Sequence, residues 1–146
     1  MTAEAPGPAG RPDGPSAALR VVLGLGLRRG ADAAELLRTA DAALAAHGLD
    51  RSAVALVATL DSKLAEPGLR AAAGELGVSA VGHPAAVLAG VPVAGSARVA
   101  AAVGTPSVAE AAALASAGPG GRLLAPRTAS ATATAALAAL PEEATR

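Results

Sequence analysis

The stretch LDSKLAEPG, residues 60–68, places two carboxylates and an amine close together. Its Lys63 is the only lysine among the twelve basic residues of the chain, which suggests a position that a guanidinium does not fit. Neighbouring carboxylates and an amine can act as acid, base or substrate clamp, although the same residues also form exposed ion pairs worth little energy. We interpret Asp61 and Glu66 as candidate catalytic residues and Lys63 as a candidate substrate-binding cation.

A second candidate is GLGLRRG, residues 24–30. Its glycines, Gly24, Gly26 and Gly30, are spaced almost as in a dinucleotide-binding fingerprint, but the match is inexact and the nucleotide signal is weak. Arg28 and Arg29 are more informative, because guanidinium groups and exposed backbone amides both favour carboxylate or phosphate. The segment therefore predicts either an anion site or a loop on which two arginines are simply solvated.

The other polar residues are better explained by structure than by chemistry. Three hydroxyl residues occupy predicted helix starts: Ser96, Thr105 and Ser107. Glu110 falls in the first turn of a predicted helix, where a carboxylate complements the helix dipole. His47 and His83 have no paired spacing, so we predict no metal site, and no local pattern indicates a hydrolytic triad.

Apolar runs and turn residues alternate along the chain. Buried strands are predicted at residues 19–27, 53–60, 78–82 and 122–126, and helices at 32–48, 67–77, 83–90, 96–103 and 105–118. Residues 131–140 are ambiguous, although alanine propensity favours a helix there. The alternation predicts an α/β domain whose mostly parallel sheet is flanked by helices, with its ligand site at the carboxyl ends of the strands. Loops 24–30 and 61–68 are predicted to lie at these carboxyl ends.

Composition narrows the classes of function. With 146 residues, 52% of them hydrophobic, the chain fits one compact domain over residues 19–140. Net charge zero and the absence of aromatic residues argue against nucleic acid as a partner. We expect residues 1–18 to be a disordered cytoplasmic tail and 141–146 a C-terminal tail. No apolar run is long enough to span a membrane, so we expect a cytoplasmic protein with no membrane partner.

Three segments together resemble one family: GLGLRRG at 24–30, TLDSKLAEPGL at 59–69 and VGTPSVAEAAAL at 103–114. They are similar to the cobalamin biosynthesis family formed by CobE and the C-terminal domain of CbiG. The resemblance runs from about Val21 to about Leu140, and the third segment is its most specific part.

The resemblance implies that three loops converge on one side of a mixed α/β sheet. Its implied substrate-binding residues are Gly24, Gly26, Arg28, Arg29, Gly30, Lys63, Gly104, Thr105, Ser107 and Glu110, with Asp61 and Glu66 in the second loop. It also implies that residues 131–140 form a final strand paired with residues 122–126. Relatives often carry Cys at the position of Leu27 and Lys at that of Arg127, so neither residue is a catalytic candidate here.

For function, the resemblance implies binding or handing over of a polycarboxylate corrinoid intermediate, in the manner of the free-standing CobE type. Chain length favours this type. The alternative is the CbiG type, a cobalt-precorrin-5A hydrolase that opens a lactone and releases acetaldehyde. A small phosphate- or nucleotide-binding module is a remote third option. We expect no cofactor, and other enzymes of cobalamin biosynthesis are candidate partners.

Overall fold

The computed structural model describes residues 19–91 and 108–141. The strands are β1 (Val21–Leu27), β2 (Val54–Leu60), β3 (Ala80–His83), β4 (Arg122–Ala129) and β5 (Ala133–Ala139). The helices are α1 (Ala33–Ala45), α2 (Pro67–Leu76), α3 (Ala85–Ala89) and α4 (Val108–Ala117). The predicted N-terminal tail, residues 142–146 of the predicted C-terminal tail and the helix predicted over 96–103 lie outside the described residues.

These strands form one five-stranded mixed sheet in the order β3-β2-β1-β5-β4. Parallel pairing joins β1 to β2 and β2 to β3, whereas β5 is antiparallel to both β1 and β4. Because β4 opposes β5, it runs in the same direction as β1, so only β5 opposes the other described strands. The prediction of an α/β fold with a mixed, mostly parallel sheet is confirmed.

Helices cover both faces of the sheet and create two aliphatic cores. On one face, α1 and α2 contribute residues such as Leu36 and Leu69 to a cluster with Leu23 and Leu25 of β1. On the other face, α3 and α4 pack over Val22 and its neighbours. No helix within the described ranges is long and apolar enough to cross a bilayer.

Local sequence signals set the ends of α1 and α2. The Asp32 side chain accepts a hydrogen bond from the backbone N–H of Glu35 at 2.8 Å, as expected of an N-cap. Pro67 occupies the first turn of α2, and Gly77 ends it with a left-handed backbone, φ 73°. Asp32 and Pro67 therefore set where α1 and α2 begin, and Gly77 sets where α2 ends.

Strand β5 shows where local propensity is overruled. The alanine-rich segment 131–140 favours a helix by propensity alone, yet residues 133–139 form a strand, as the family resemblance implied. This strand lies inside the sheet, and its residues Ala135 to Ala139 are almost fully buried under α1 on one face and α4 on the other. Small side chains are needed on both faces because helices pack closely against each of them.

Candidate functional site

The turn that carries Arg28 and Arg29 and the loop that carries Asp61, Lys63 and Glu66 lie at the carboxyl edge of the sheet. The chain leaves β1 into the turn 28–30, leaves β2 into a 3₁₀ helix at Asp61–Lys63, and leaves β3 at His83. Since β4 runs parallel to β1, the turn 130–132 between β4 and β5 lies at the same edge. Ligands of open α/β sheets bind at this edge.

The first loop is shorter than expected, because Gly24 and Gly26 belong to strand β1. A Cβ on Gly24 would overlap the carbonyl oxygen of Ala109 in α4, and a Cβ on Gly26 would lie 3.7 Å from the Ala109 nitrogen. Gly24 therefore allows α4 to lie close to the centre of the sheet. Placing Gly24 and Gly26 in a loop was wrong, and the loop itself begins at Arg28.

The turn at residues 28–30 has a tightly defined backbone and exposed side chains. The N–H of Ala31 donates to the carbonyl of Arg28 at 3.1 Å, and Gly30 has φ +82°, a value that disfavours other residues. The N–H of Arg28 donates to the carbonyl of Thr132 at 2.9 Å, which ties the turn to the start of β5. Arg28 and Arg29 are exposed at the surface of the turn.

The second loop is anchored to β1 and β3. The buried hydroxyl of Thr59 donates to the carbonyl of Leu25 at 2.7 Å, just beyond the last paired residues of β1 and β2. Asp61 lies against Gly82 of β3, where a Cβ would come within 2.7 Å of the Asp61 Oδ1 atom. Lys63 is half-buried at the end of the 3₁₀ helix. The two anchors define where the chain leaves β2.

The two loops are in direct contact. The backbone N–H of Gly30 donates to Oε1 of Glu66 at 2.9 Å. In addition, Gly68 approaches the first loop so closely that a Cβ there would overlap the carbonyl oxygen of Ala31. The loops that carry Arg28, Arg29 and Lys63 are thus held together by a hydrogen bond and a backbone contact.

The three cations of these loops make no ion pair within the described ranges. The ion pairs found there join Arg38 to Glu35, Arg51 to Asp41 and Arg127 to Glu110. Arg28, Arg29 and Lys63 therefore present positive charge at the carboxyl edge of the sheet. Guanidinium and ammonium groups in such a position are suited to carboxylate or phosphate ligands.

The third predicted segment is described only from residue 108 onward, so Gly104, Thr105 and Ser107 lie outside the described residues. Glu110, in the first turn of α4, is only 4% exposed. Its Oε1 lies 3.5 Å from Nη1 of Arg127 on β4. Burial and this ion pair make Glu110 a contact between α4 and the sheet, and Arg127 acquires a partner that local sequence did not indicate.

The turn between β4 and β5 is attached to α1 through Glu35. Hydrogen bonds from Ser130 first, and then from Arg38, lower the pKa of Glu35 below its ordinary value, with a smaller effect of the Ala131 backbone. Glu35 lies in the first turn of α1. No periodic pattern could have linked it to a turn almost a hundred positions away.

A histidine–serine contact and a surface cavity also occur among the described residues. His83 Nε2 lies 2.7 Å from the Ser116 hydroxyl, and among the described residues no group of three His, Asp or Glu side chains is placed to hold a metal. A surface cavity of about 290 Å³ between α2 and β3 is lined by Leu64, Arg70, Ala73, Gly74, Val78 and Ala80. None of the predicted site residues lines it.

Residues 21–138 match the model of the family described as cobalamin synthesis G C-terminus. The chain belongs to this family. The match includes all three segments on which the resemblance was based, and it runs from the first residue of β1 almost to the end of β5. Among curated proteins, none matches this sequence.

Solved structures of the family support the assignment. CobE, a protein of the cobalamin (vitamin B12) biosynthetic pathway, is 34% identical with a TM-score of 0.71, over 84% of this chain and 94% of CobE. The cobalamin biosynthesis protein ChiG from Agrobacterium tumefaciens is 35% identical with a TM-score of 0.62, over 84% of this chain and 98% of ChiG.

A cobalamin biosynthesis protein G homolog from Sulfolobus solfataricus shares the fold at 19% identity and a TM-score of 0.62. The matched region covers 83% of this chain but 37% of that protein. The same fold therefore also occurs as one part of a longer chain.

Proposed function

We propose that this chain binds a polycarboxylate corrinoid intermediate of cobalamin biosynthesis at the carboxyl edge of its sheet and hands it to another enzyme of the pathway. The observation that carries the proposal is the set of three cations, Arg28, Arg29 and Lys63, which lack ion pairs within the described ranges and lie on two loops joined by a hydrogen bond. Similarity to CobE over most of both chains supports the pathway.

The chemistry of the ligand fits these groups. Corrin precursors carry acetate and propionate carboxylates around an apolar macrocycle. Arginine side chains can each grip one carboxylate through two N–H groups, and a lysine offers a compact charge to another. Several such contacts spread over one edge would recognise the pattern of carboxylates around the ring.

The proposal is tested by absorbance titration with purified corrinoid intermediates. We expect Arg28→Ala and Lys63→Ala each to weaken binding about tenfold or more, since a hydrogen bond to a charged group contributes about 1.5–3 kcal/mol. Arg51→Ala is the matched control, because Arg51 is already paired with Asp41 and precedes β2, at the opposite edge of the sheet. If no intermediate binds below about 1 mM, the proposal fails.

A second candidate function is hydrolysis of cobalt-precorrin-5A, and the environment of Asp61 favours it. The Asp61 carboxylate is exposed and makes no hydrogen bond or ion pair to the described residues, so it is available to activate water. Glu66, the other catalytic candidate, already accepts a hydrogen bond from Gly30. Lys63 would then stabilise developing oxyanion charge.

This candidate predicts that the purified chain releases acetaldehyde from cobalt-precorrin-5A. Asp61→Asn should abolish the release while leaving corrinoid binding in place, because the amide keeps the shape of the side chain but cannot take a proton. If the wild-type chain turns over cobalt-precorrin-5A, its function is hydrolysis and not binding alone. Binding without any acetaldehyde would exclude the hydrolase.

A further inference from the structure

We propose that Glu66 is a positioning residue that holds the Arg28–Gly30 turn in the orientation needed to bind an anion, and that it is neither a base nor a ligand. The inference rests on the proposed function, because it concerns the same cations. Its basis is the hydrogen bond from the Gly30 N–H to Glu66 Oε1, 2.9 Å long, which joins residues 36 positions apart in the chain.

The direction of the Glu66 side chain supports this role. Glu66 is the N-cap residue of α2, with extended φ −62° and ψ 128°, yet its side chain makes no capping hydrogen bond to its own helix. Exposed N–H groups at a helix start would ordinarily attract a carboxylate. Instead the carboxylate is directed to the backbone of the neighbouring loop.

Glu66 also supplies the only side-chain hydrogen bond to this turn within the described ranges. The other contacts are backbone ones: Arg28 N–H to Thr132 O at 2.9 Å and Ala31 N–H to Arg28 O at 3.1 Å. Without the Glu66 contact, the middle of the turn would be held only from its two ends. The exposed arginines on it would then sample more orientations, and ordering them on binding would cost entropy.

A positioning role for Glu66 predicts a change in anion affinity opposite in sign to the change that charge repulsion alone would cause. A carboxylate beside an anion site repels the anion, so removing its charge should tighten binding if the charge acts directly. If Glu66 orders the turn, removing its side chain should weaken binding despite the loss of a negative charge. Glu66→Gln separates these effects, because its amide oxygen still accepts from Gly30 but carries no charge.

Calorimetric titration with citrate, a tricarboxylate probe, tests these effects at low salt. We expect Glu66→Ala to weaken citrate binding about fivefold, the value of one ordinary hydrogen bond, and Glu66→Gln to stay within about twofold of wild type. In an Arg28→Ala background, Glu66→Ala should weaken binding less than it does alone, because both changes act on one contact. Tighter binding by Glu66→Ala, no change in it, or equal losses in Ala and Gln variants would overturn the inference.

A second measurement needs no ligand. In nuclear magnetic resonance spectra, the Gly30 amide proton should exchange with solvent faster in Glu66→Ala than in wild type, because its acceptor is gone, and Glu66→Gln should keep the protection. Glu75→Gln, a change on the exposed side of α2, should leave it intact. A Gly30 amide that exchanges equally fast in wild type and Glu66→Ala would overturn the inference. If wild type binds no citrate, the proposed anion site loses its support, while the amide exchange measurement still decides whether Glu66 holds the turn.

Discussion

Gly24 and Gly26 both lie in β1 and belong to the glycine pattern of residues 24–30, but they differ in what surrounds them. The open side of Gly24 is filled by the backbone of Ala109 in α4, whereas the atoms nearest to a Cβ on Gly26 are at ordinary contact distance, 3.7 Å and beyond. A glycine in a strand often marks such a close approach of another backbone. Because Gly24 has no side chain, α4 can pack at a short distance from the sheet.

This contrast gives a matched pair of variants. Gly24→Ala should lower the free energy of unfolding by about 1–3 kcal/mol, because a backbone carbonyl must move to admit the methyl group. Gly26→Ala should change it by less than about 0.5 kcal/mol, the range of a change without a clash. Urea unfolding of both variants measures the difference. Equal stability of the two would show that α4 does not lie as close to β1 as described.

Sequence analysis could place the residues of the first two loops but not their contacts. Strand ends and caps predicted where Arg28, Arg29, Asp61 and Lys63 lie, because these signals are local in the chain. The Gly30–Glu66 hydrogen bond and the Glu110–Arg127 ion pair join segments brought together only by the fold. No short-range pattern encodes such pairs, so neither contact could be predicted from the sequence.

At the scale of elements, α2 determines how the second loop meets the first. Its first turn includes Gly68, whose missing side chain lets the helix start lie against Ala31. Gly74, later in the same helix, has open space around it. The two glycines of α2 therefore differ. Gly68 allows a contact between loops, whereas Gly74 has no packing role within the described structure.

Alanine at these positions should shift stability in opposite directions. Gly74→Ala should stabilise the protein by about 0.5–1 kcal/mol, because glycine in a helix interior carries that cost relative to alanine. Gly68→Ala should destabilise it and weaken citrate binding, since the helix start must move away from Ala31. Thermal unfolding and citrate titration of both variants provide the comparison. Stabilisation by Gly68→Ala would refute the contact between α2 and the first loop.

The order of elements was largely predictable, and β5 shows where prediction from local sequence stops. Alternating apolar runs and glycine turns predicted β1, α1, β2 and α2 because each signal lies within its own segment. For residues 131–140, alanine propensity favours the wrong structure, and the strand forms because β1 and β4 both pair with it. Family resemblance supplied the strand that local physics could not.

For the whole molecule, the pH dependence of stability includes contributions from two carboxylates with lowered pKa values. Hydrogen bonds from Ser130 and Arg38 lower the pKa of Glu35, and that from Arg51 lowers the pKa of Asp41. Each group binds protons more weakly when folded than when unfolded. Its contribution is therefore fully present above the unfolded pKa and lost as pH falls through the folded pKa.

We accordingly expect Glu35→Gln to flatten the acid limb of the stability curve. The free energy of unfolding of wild type should fall as pH drops below the ordinary glutamate pKa of about 4.5, and the variant should lose less over the same interval. Urea unfolding at pH 7 and at pH 3.5 measures both, with Glu75→Gln as a control for the loss of one carboxylate. Parallel curves for wild type and Glu35→Gln would contradict the contact between α1 and the turn 130–132.

The position of β5 affects how the sheet can form while the protein is being synthesised. This strand pairs with β1 from Val21↔Ala139 to Leu27↔Ala133, so two segments more than a hundred residues apart lie side by side in the sheet. As a nascent chain leaves the ribosome, β1 emerges before β5, so one edge of β1 stays unpaired until residues 133–139 have been synthesised. An exposed strand edge is a template for pairing with other chains, so a translation product that stops before residue 133 should aggregate.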